Sequence, residues 1–377
     1  MHEVTVAKSK KGGRIMRYSD SPYPLAGIDL PGMLKRAWEE GWLDEYDENH
    51  FLIKAIYGKL DRYRGYQQYI ANNIHLWNIT KENFQINFCM NLSSKLAGLS
   101  TFFGEEQIQR FVEDQLSAGK AAYDEEQFFR ALSEVSVLAF WRRNSKTGEY
   151  EPKTNGKKNP EARFCCVNGV TVDVEVKTPG FPDVDRIREY AIPTVLLDDK
   201  GAEFTAYCDA QGLTAILPRV FKLKEFLNSA ADKFEEVNHV DRMNFLYINW
   251  TFSEYPESSY LEAYGLLANL DNGLLVNRDI GKEFGISNEV YDKITAVIVY
   301  TESLNGLMFG DFTHVWTRAP EGHPHFAIIG MHNEKCLFET TGMNAYGKMP
   351  VPALLYLAGK DNHWTSLMDI IYRHIKK

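Results

Sequence analysis

The chain has 377 residues, of which 44% are hydrophobic and 13% aromatic, enough to bury a large core in one elaborate domain or two ordinary ones. Its net charge of −9 excludes a globally basic, histone-like nucleic-acid binder, although nucleic acid can still bind to a local basic surface. No apolar run reaches the length of a membrane span and residues 1–17 lack the apolar core of a signal peptide, so we expect a cytoplasmic protein without a membrane partner.

Residues 1–120 are predicted to form a mainly helical amino-terminal region, with apolar-periodic segments at 29–41, 50–69 and 105–116. A stronger helix follows at 124–141, with acidic residues in its first turn and apolar side chains around most of its carboxyl half. Glu134 lies inside that apolar stretch. Because a buried carboxylate needs a partner, Glu134 either pairs with Arg130 one turn earlier or belongs to a site.

Residues 160–177 are predicted to form two short alternating strands joined by an Asn168-Gly169 turn. A two-residue loop at this turn would mix polar with apolar side chains on both faces of the hairpin. A three-residue loop, with Gly169 left-handed in a bulge, instead pairs Cys166 with Val170 and leaves one face apolar. Because a slip of one residue moves every side chain to the opposite face, we predict the second register.

In that register Glu161 lies opposite Glu175, and Lys177 shares the face of Glu175. Asp173 lies opposite Arg163, which predicts a cross-strand ion pair. With the tighter turn, Asp173 would take the place of Glu161 beside Glu175. The predicted register therefore places two carboxylates and a lysine together on one face.

The remaining chain alternates strands with helices. Strands are predicted at 194–197, 245–252 and 294–300, and helices at 218–234 and 260–267, which indicates an α/β fold with a mixed β-sheet flanked by helices and an antiparallel hairpin at one side. Residues 305–377 are predicted to add an α+β segment, with strands at 307–317, 326–331 and 336–340 and helices at 351–357 and 365–375. We therefore expect three regions, at 1–120, 121–304 and 305–377.

The acidic side chains suggest a metal site. Oxygen ligands from Glu134, Glu161 and Glu175, with Asp173 as an alternative, suit a hard cation such as Mg²⁺ or Mn²⁺, which keeps waters and engages phosphate oxygens. Lys177 would supply a fixed positive charge that orients the attacking water or stabilises charge developing on phosphorus.

The segment 142–160 is predicted to be a basic loop that leads into the hairpin. It is either a solvated loop or a surface that follows a phosphate backbone, in which case binding would weaken steeply with salt. The candidate nucleic-acid-binding residues are Arg142, Arg143, Lys146, Lys153, Lys157 and Lys158.

These residues resemble a family. Pro160-Glu161 on one strand, Glu175-Val176-Lys177 on the next and Glu134 on a preceding helix look like the motif of the PD-(D/E)xK nuclease superfamily. The resemblance covers roughly residues 124–300 and implies a restriction-endonuclease-like core of helix, three strands, helix and strand.

The resemblance also implies an activity. It implies a Mg²⁺-dependent endonuclease that cuts DNA and leaves a 5′-phosphate, in a setting such as restriction or antiviral defence. Glu134 would be the helix acid, Glu161 and Glu175 the metal acids and Lys177 the catalytic lysine. Glu161 departs from the usual aspartate, and its longer side chain would shift the metal or weaken the site.

Other functions stay open beside the nuclease. A module that keeps the fold without the chemistry would bind nucleic acid or a protein partner, and a carboxylate-pair hydrolase acting on sugars would be insensitive to chelator. The five cysteines show no CxxC spacing and favour neither a disulfide framework nor a zinc ribbon. A weaker metal-ligand pattern consists of His323, His325, His332 and Cys336. A homo-oligomer is also compatible with the sequence.

Overall fold

The computed structural model describes part of the chain. The described residues are 17–20, 30, 32–60, 81–119, 122–143, 145–155, 158–167, 169–179, 191–193, 206–207, 210–212, 214–216, 220–250, 260–268, 273–300 and 326–332. They belong to two compact units, one up to Val135 and one from Ser136 onward.

The first unit is built from helices. They are α1 (Gly32–Glu39), α2 (Phe51–Ile56), α3 (Lys81–Phe103), α4 (Glu105–Arg110), which continues into a π-helical turn (Phe111–Gln115), and the first residues of α5 (Glu125–Arg143), with a short 3₁₀ helix at Tyr18–Asp20. Before residue 120 the described residues contain no strand, as expected for a mainly helical region. Residues 61–69 of the predicted second helix lie outside the described residues.

A buried histidine organises the aromatic core of this unit. The ring of His50 lies 4.8 Å from that of Phe128 and 4.5 Å from that of Tyr123, centroid to centroid. Its Nδ1 accepts a hydrogen bond from Leu52 N at 3.0 Å, and its Nε2 donates to Leu116 O at 2.9 Å. Both ring nitrogens are thus satisfied in the neutral form, and burial lowers the pKa of His50 to about 4, although the Leu116 carbonyl favours the charged form.

The second unit contains a mixed six-stranded sheet. In sheet order its strands are β1 (Ser145–Tyr150), β2 (Ala162–Cys166), β3 (Thr171–Lys177), β6 (Arg242–Asn249), β7 (Ala296–Tyr300) and β8 (Phe326–Gly330). The pairs β1–β2, β2–β3 and β7–β8 are antiparallel, whereas β3–β6 and β6–β7 are parallel. Two short strands, β4 (Ala191–Pro193) and β5 (Thr214–Ile216), form a separate parallel pair. The predicted α/β class with a mixed sheet is therefore confirmed.

Helices lie on both faces of this sheet. On one face Trp141 of α5 packs against Phe164 and Phe245 and donates a hydrogen bond from Nε1 to Tyr247 Oη at 3.0 Å. On the other face α6 (Val220–Lys233) shares a buried apolar cluster with Leu246 of β6. The helices α7 (Tyr260–Ala268), α8 (Arg278–Glu283) and α9 (Asn288–Lys293) complete the described part of the unit.

Several predicted elements are present with small shifts in their ends. They are the helices at 218–234 and 260–267, found as α6 and α7, and the strands at 245–252, 294–300 and 326–331, found as β6, β7 and β8. The segments predicted at 307–317, 336–340, 351–357 and 365–375 lie outside the described residues. Within the described part of the chain, no helix combines the length and apolarity that a membrane crossing requires.

One prediction about the connections was wrong. The segment 142–160 is not one basic loop, because α5 continues to Arg143 and residues 145–150 form the edge strand β1. That strand is polar and mostly exposed, so it has no apolar alternation that would reveal it in the sequence. The strand predicted at 194–197 lies outside the described residues, directly after β4.

Candidate functional site

The hairpin β2–β3 has the register predicted from its apolar face. Gly169 is left-handed, with φ of 88°, and Cys166 N donates to Val170 O at 2.8 Å. Gly169 N donates to Cys166 O at 3.0 Å, which closes the turn. Arg163 pairs with Asp173 and Phe164 with Val172, so the three-residue loop is confirmed and the two-residue loop is excluded.

This register buries two carboxylates on one face of β3. The side chains of Asp173 and Glu175 are both 0% exposed, on the face that also carries Leu246 of the neighbouring β6. The valines that alternate with them point to the opposite face, where Trp141 packs. Because an ionised carboxylate loses its hydration when it is buried, each of these two needs a compensating charge.

Asp173 is compensated by two arginines. Arg163 donates from Nε to Oδ1 at 2.6 Å and from Nη2 to Oδ2 at 2.9 Å, and Arg242 Nη2 donates to Oδ2 at 2.9 Å. Glu235 accepts a hydrogen bond from each guanidinium group, so two carboxylates balance the two arginine charges. The predicted ion pair between Arg163 and Asp173 is confirmed, and Asp173 belongs to an ion network separate from Glu175.

Glu175 is the centre of a second cluster. Its Oε1 lies 2.6 Å from Lys177 Nζ and 2.6 Å from Lys233 Nζ. Lys233 Nζ also donates to Glu161 Oε1 at 3.1 Å. The structure therefore brings together three of the four predicted catalytic residues, Glu161, Glu175 and Lys177, and adds Lys233.

The electrostatics of the cluster are set by burial. Burial, followed by the charge of Glu161, raises the pKa of Glu175 to about 7, although both lysines oppose the shift. Burial lowers the pKa of Lys233, but the two carboxylates outweigh it and hold that pKa above its ordinary value. Both oxygens of Glu175 are buried without a well-angled hydrogen bond among the described residues; Oε1 is held by its ion contacts with the two lysines, whereas Oε2 has no described contact of that kind. One carboxylate oxygen in the cluster is therefore left without a donor.

Sequence reasoning did not identify Lys233, although a signal was present. It is the last residue of α6, seven residues after Phe226 and three after Ala230, which both lie in the buried stripe of that helix. A lysine that continues an apolar stripe is either a snorkelling side chain or the partner of a buried acid. Lys233 is the partner of two acids, Glu161 and Glu175.

Glu134 lies on α5 with a half-buried side chain, in the first unit. In the part of the chain that the structure describes, no three His, Cys, Asp or Glu side chains gather in a metal-binding group. The role of Glu134 as a third metal ligand therefore stays a prediction.

Glu161 and Glu175 nevertheless fit a Mg²⁺ or Mn²⁺ site on their own. Mg²⁺ is commonly held by one or two carboxylates, with water and substrate phosphate completing its shell. The unpartnered Glu175 Oε2 supplies a ligand that no protein donor occupies within the described residues. Two carboxylates joined by one lysine, with Glu175 Oε2 outside any described contact, are donors of the type that such a cation uses.

The predicted nucleic-acid-binding residues lie on three elements. Arg142 and Arg143 end α5, Lys146 is exposed on β1, and Lys153 and Lys158 are exposed in the connection to β2. Lys157 lies outside the described residues. That connection is tied to the end of α6, because Asn155 N donates to Glu235 Oε1 at 3.0 Å.

The weaker metal-ligand pattern is described only at His332. Its Nε2 bonds to Tyr291 O at 2.7 Å, and its ring stacks on His239 at 3.8 Å between centroids. The other three candidates, His323, His325 and Cys336, lie outside the described residues.

The chain matches no protein-family model, no curated protein and no solved structure.

Proposed function

We propose that this protein is a Mg²⁺-dependent nuclease that hydrolyses DNA phosphodiester bonds. The observation that carries the proposal is the fully buried Glu175, which Lys233 bridges to Glu161 and which has Lys177 on the same face of its strand. Buried ion clusters are weak evidence for stability, because well-packed apolar residues often stabilise a fold equally well. A chemical role explains why this one is present.

The arrangement of elements supports a restriction-endonuclease-like core. In the second unit the order α5, β1, β2, β3, α6 and β6 is the helix, three strands, helix and strand that the resemblance implies, with the short pair β4–β5 inserted before α6. Glu161 precedes β2, and Glu175 and Lys177 are on β3, as the PD-(D/E)xK motif requires. We propose Glu134 on α5 as the helix acid of the same motif.

The residues of the cluster have distinct roles in the proposed reaction. Glu161 and Glu175 hold the cation, which when bound supplies Lewis-acid activation of water and phosphate oxygens. Lys177 holds a positive charge beside Glu175, where it orients the attacking water and stabilises charge on the phosphate. The exposed basic residues of β1 and its connections contact the DNA backbone, so DNA binding should weaken as salt rises.

One observation favours a second candidate, a nuclease-fold module without catalysis. Lys177 and Lys233 both contact Glu175, so the two carboxylates and two ammonium groups balance without any metal. A neutral cluster of this kind can serve as a structural ion network. Such a protein would bind nucleic acid or a protein partner and would not turn over.

The two candidates differ in one assay. The full chain is incubated with circular, linear and single-stranded DNA in the presence of Mg²⁺, Mn²⁺ or a chelator. We expect metal-dependent cleavage that is lost in Glu175→Gln and in Lys177→Ala, and that survives in Lys282→Ala, an exposed lysine of α8. DNA binding by the wild type without metal-dependent cleavage would support the inactive module.

A further inference from the structure

Lys233 occupies the space between the two carboxylates of the candidate site. Its Nζ lies 2.6 Å from Glu175 Oε1 and 3.1 Å from Glu161 Oε1. Two carboxylates that share one ammonium group are arranged as they would be if they shared a divalent cation. The ammonium nitrogen therefore lies where the charge of such a cation would be needed.

The second lysine of the cluster has a different position. Lys177 Nζ contacts Glu175 Oε1, and among the described ion pairs it does not reach Glu161. It also projects from the same strand as its partner. Lys233 instead enters from the last residue of α6, and its side chain is 13% exposed, against 17% for Glu161 and 0% for Glu175. Of the two lysines, Lys233 is the one that joins the two carboxylates.

We propose that Lys233 is a resident counter-ion, which holds Glu161 and Glu175 together and is displaced when a divalent cation binds between them. The proposal rests on the proposed function in taking the pair as a cation site. It makes Lys233 a positioning residue that sets cation affinity.

Electrostatics requires this competition. An ammonium and a divalent cation placed between the same two carboxylates would repel each other at short range in a site with little water. Cation binding must therefore break the bridge, and the energy of the bridge is subtracted from cation affinity. Once released from the carboxylates, the Lys233 ammonium can donate a hydrogen bond to a phosphate oxygen of DNA.

The test is a Mn²⁺ titration of the full chain by calorimetry, with thermal unfolding measured in parallel. In Lys233→Met, which keeps most of the length of the side chain and removes its charge, we expect Mn²⁺ to bind with a Kd about tenfold lower than in the wild type, a coupling of ordinary size for two linked binding events. The melting temperature should fall without cation and rise more than in the wild type when Mn²⁺ is added. Lys222→Met is the matched control, because Lys222 is on the same helix and pairs with the exposed Glu225 at 3.0 Å.

The outcomes separate this inference from the nuclease activity. A Kd in Lys233→Met equal to or higher than that of the wild type overturns it, even if the wild type cleaves DNA. Tighter Mn²⁺ binding in Lys233→Met supports it, even if no variant cleaves DNA. The absence of Mn²⁺ binding in every variant overturns both this inference and the cation site.

A charge-conserving variant covers the case in which Lys233→Met does not fold. Lys233→Arg keeps the positive charge between the carboxylates, so we expect it to bind Mn²⁺ no more tightly than the wild type. Tighter binding by Lys233→Arg would contradict displacement.

Discussion

Two buried carboxylates on one strand have different surroundings, although they are only two residues apart. Asp173 accepts three hydrogen bonds from Arg163 and Arg242, which satisfy both of its oxygens. Glu175 is contacted through one oxygen by two lysines, and its other oxygen has no donor in the described part of the chain. At the residue scale, Asp173 is a completed structural ion pair, whereas the proposed site uses Glu175, whose Oε2 has no described partner.

His50 predicts how the stability of the first unit depends on pH. Its folded pKa of about 4 is below the ordinary value of 6.5, so the fold favours the neutral ring. The stabilisation is therefore complete above pH 6.5 and is lost as the pH falls from 6.5 to about 4. The loss in unfolding free energy should reach roughly 3 kcal/mol, since each pKa unit corresponds to about 1.4 kcal/mol. Denaturant unfolding at a series of pH values measures it.

A glutamine variant is the control for that prediction. In His50→Gln the amide oxygen can accept from Leu52 N and the amide nitrogen can donate to Leu116 O, without a group that titrates. The variant should lose less stability than the wild type over the same pH range. Equal losses in the two proteins would show that another group carries the acid sensitivity.

At the scale of elements, the hairpin could be predicted because two kinds of signal agree. The alternation of Val172, Val174 and Val176 fixes which side chains share the apolar face of the hairpin. Gly169 allows the left-handed turn that places the apolar side chains of β2 on that same face. Strand β1 could not be predicted, because its stability depends on pairing with β2 and its own side chains are polar.

A change at Gly169 tests the turn directly. An added Cβ would meet nothing within 4 Å, so the cost of Gly169→Ala comes from the left-handed backbone alone. We expect its unfolding free energy to fall by about 1 kcal/mol, with a smaller fall for Gly169→Asn because asparagine tolerates this conformation better. Denaturant unfolding of the three proteins provides the comparison, and equal stability of all three would mean that the turn is not left-handed in solution.

Three residues of the candidate site could also be predicted from the register of the hairpin. Glu161, Glu175 and Lys177 belong to one hairpin, so local register was enough to bring them together. Lys233 is 56 residues further along the chain than Lys177, and only the packing of α6 over the sheet places it between the two acids. Contacts of that kind depend on the tertiary fold, which a sequence pattern does not specify.

At the scale of the whole molecule, a chain with a net charge of −9 is proposed to act on a polyanion. That is physically reasonable only if positive charge is concentrated near the site. The end of α5, β1 and the connection to β2 supply exposed basic side chains on elements adjacent to the hairpin, and Asn155 ties this connection to the end of α6. The proposed activity therefore depends on a local surface and not on the overall charge.

The most direct test is Mg²⁺-dependent nicking of supercoiled DNA by Glu161→Gln and Asp173→Asn, each first shown to be folded at the assay temperature. In the confirmed register Asp173 pairs with two arginines, whereas Glu161 and Glu175 share Lys233, and we propose Glu161 as the first acid of the site. We predict that Glu161→Gln abolishes nicking and that Asp173→Asn loses stability but retains nicking. Nicking that survives in Glu161→Gln and disappears in folded Asp173→Asn would contradict the assignment.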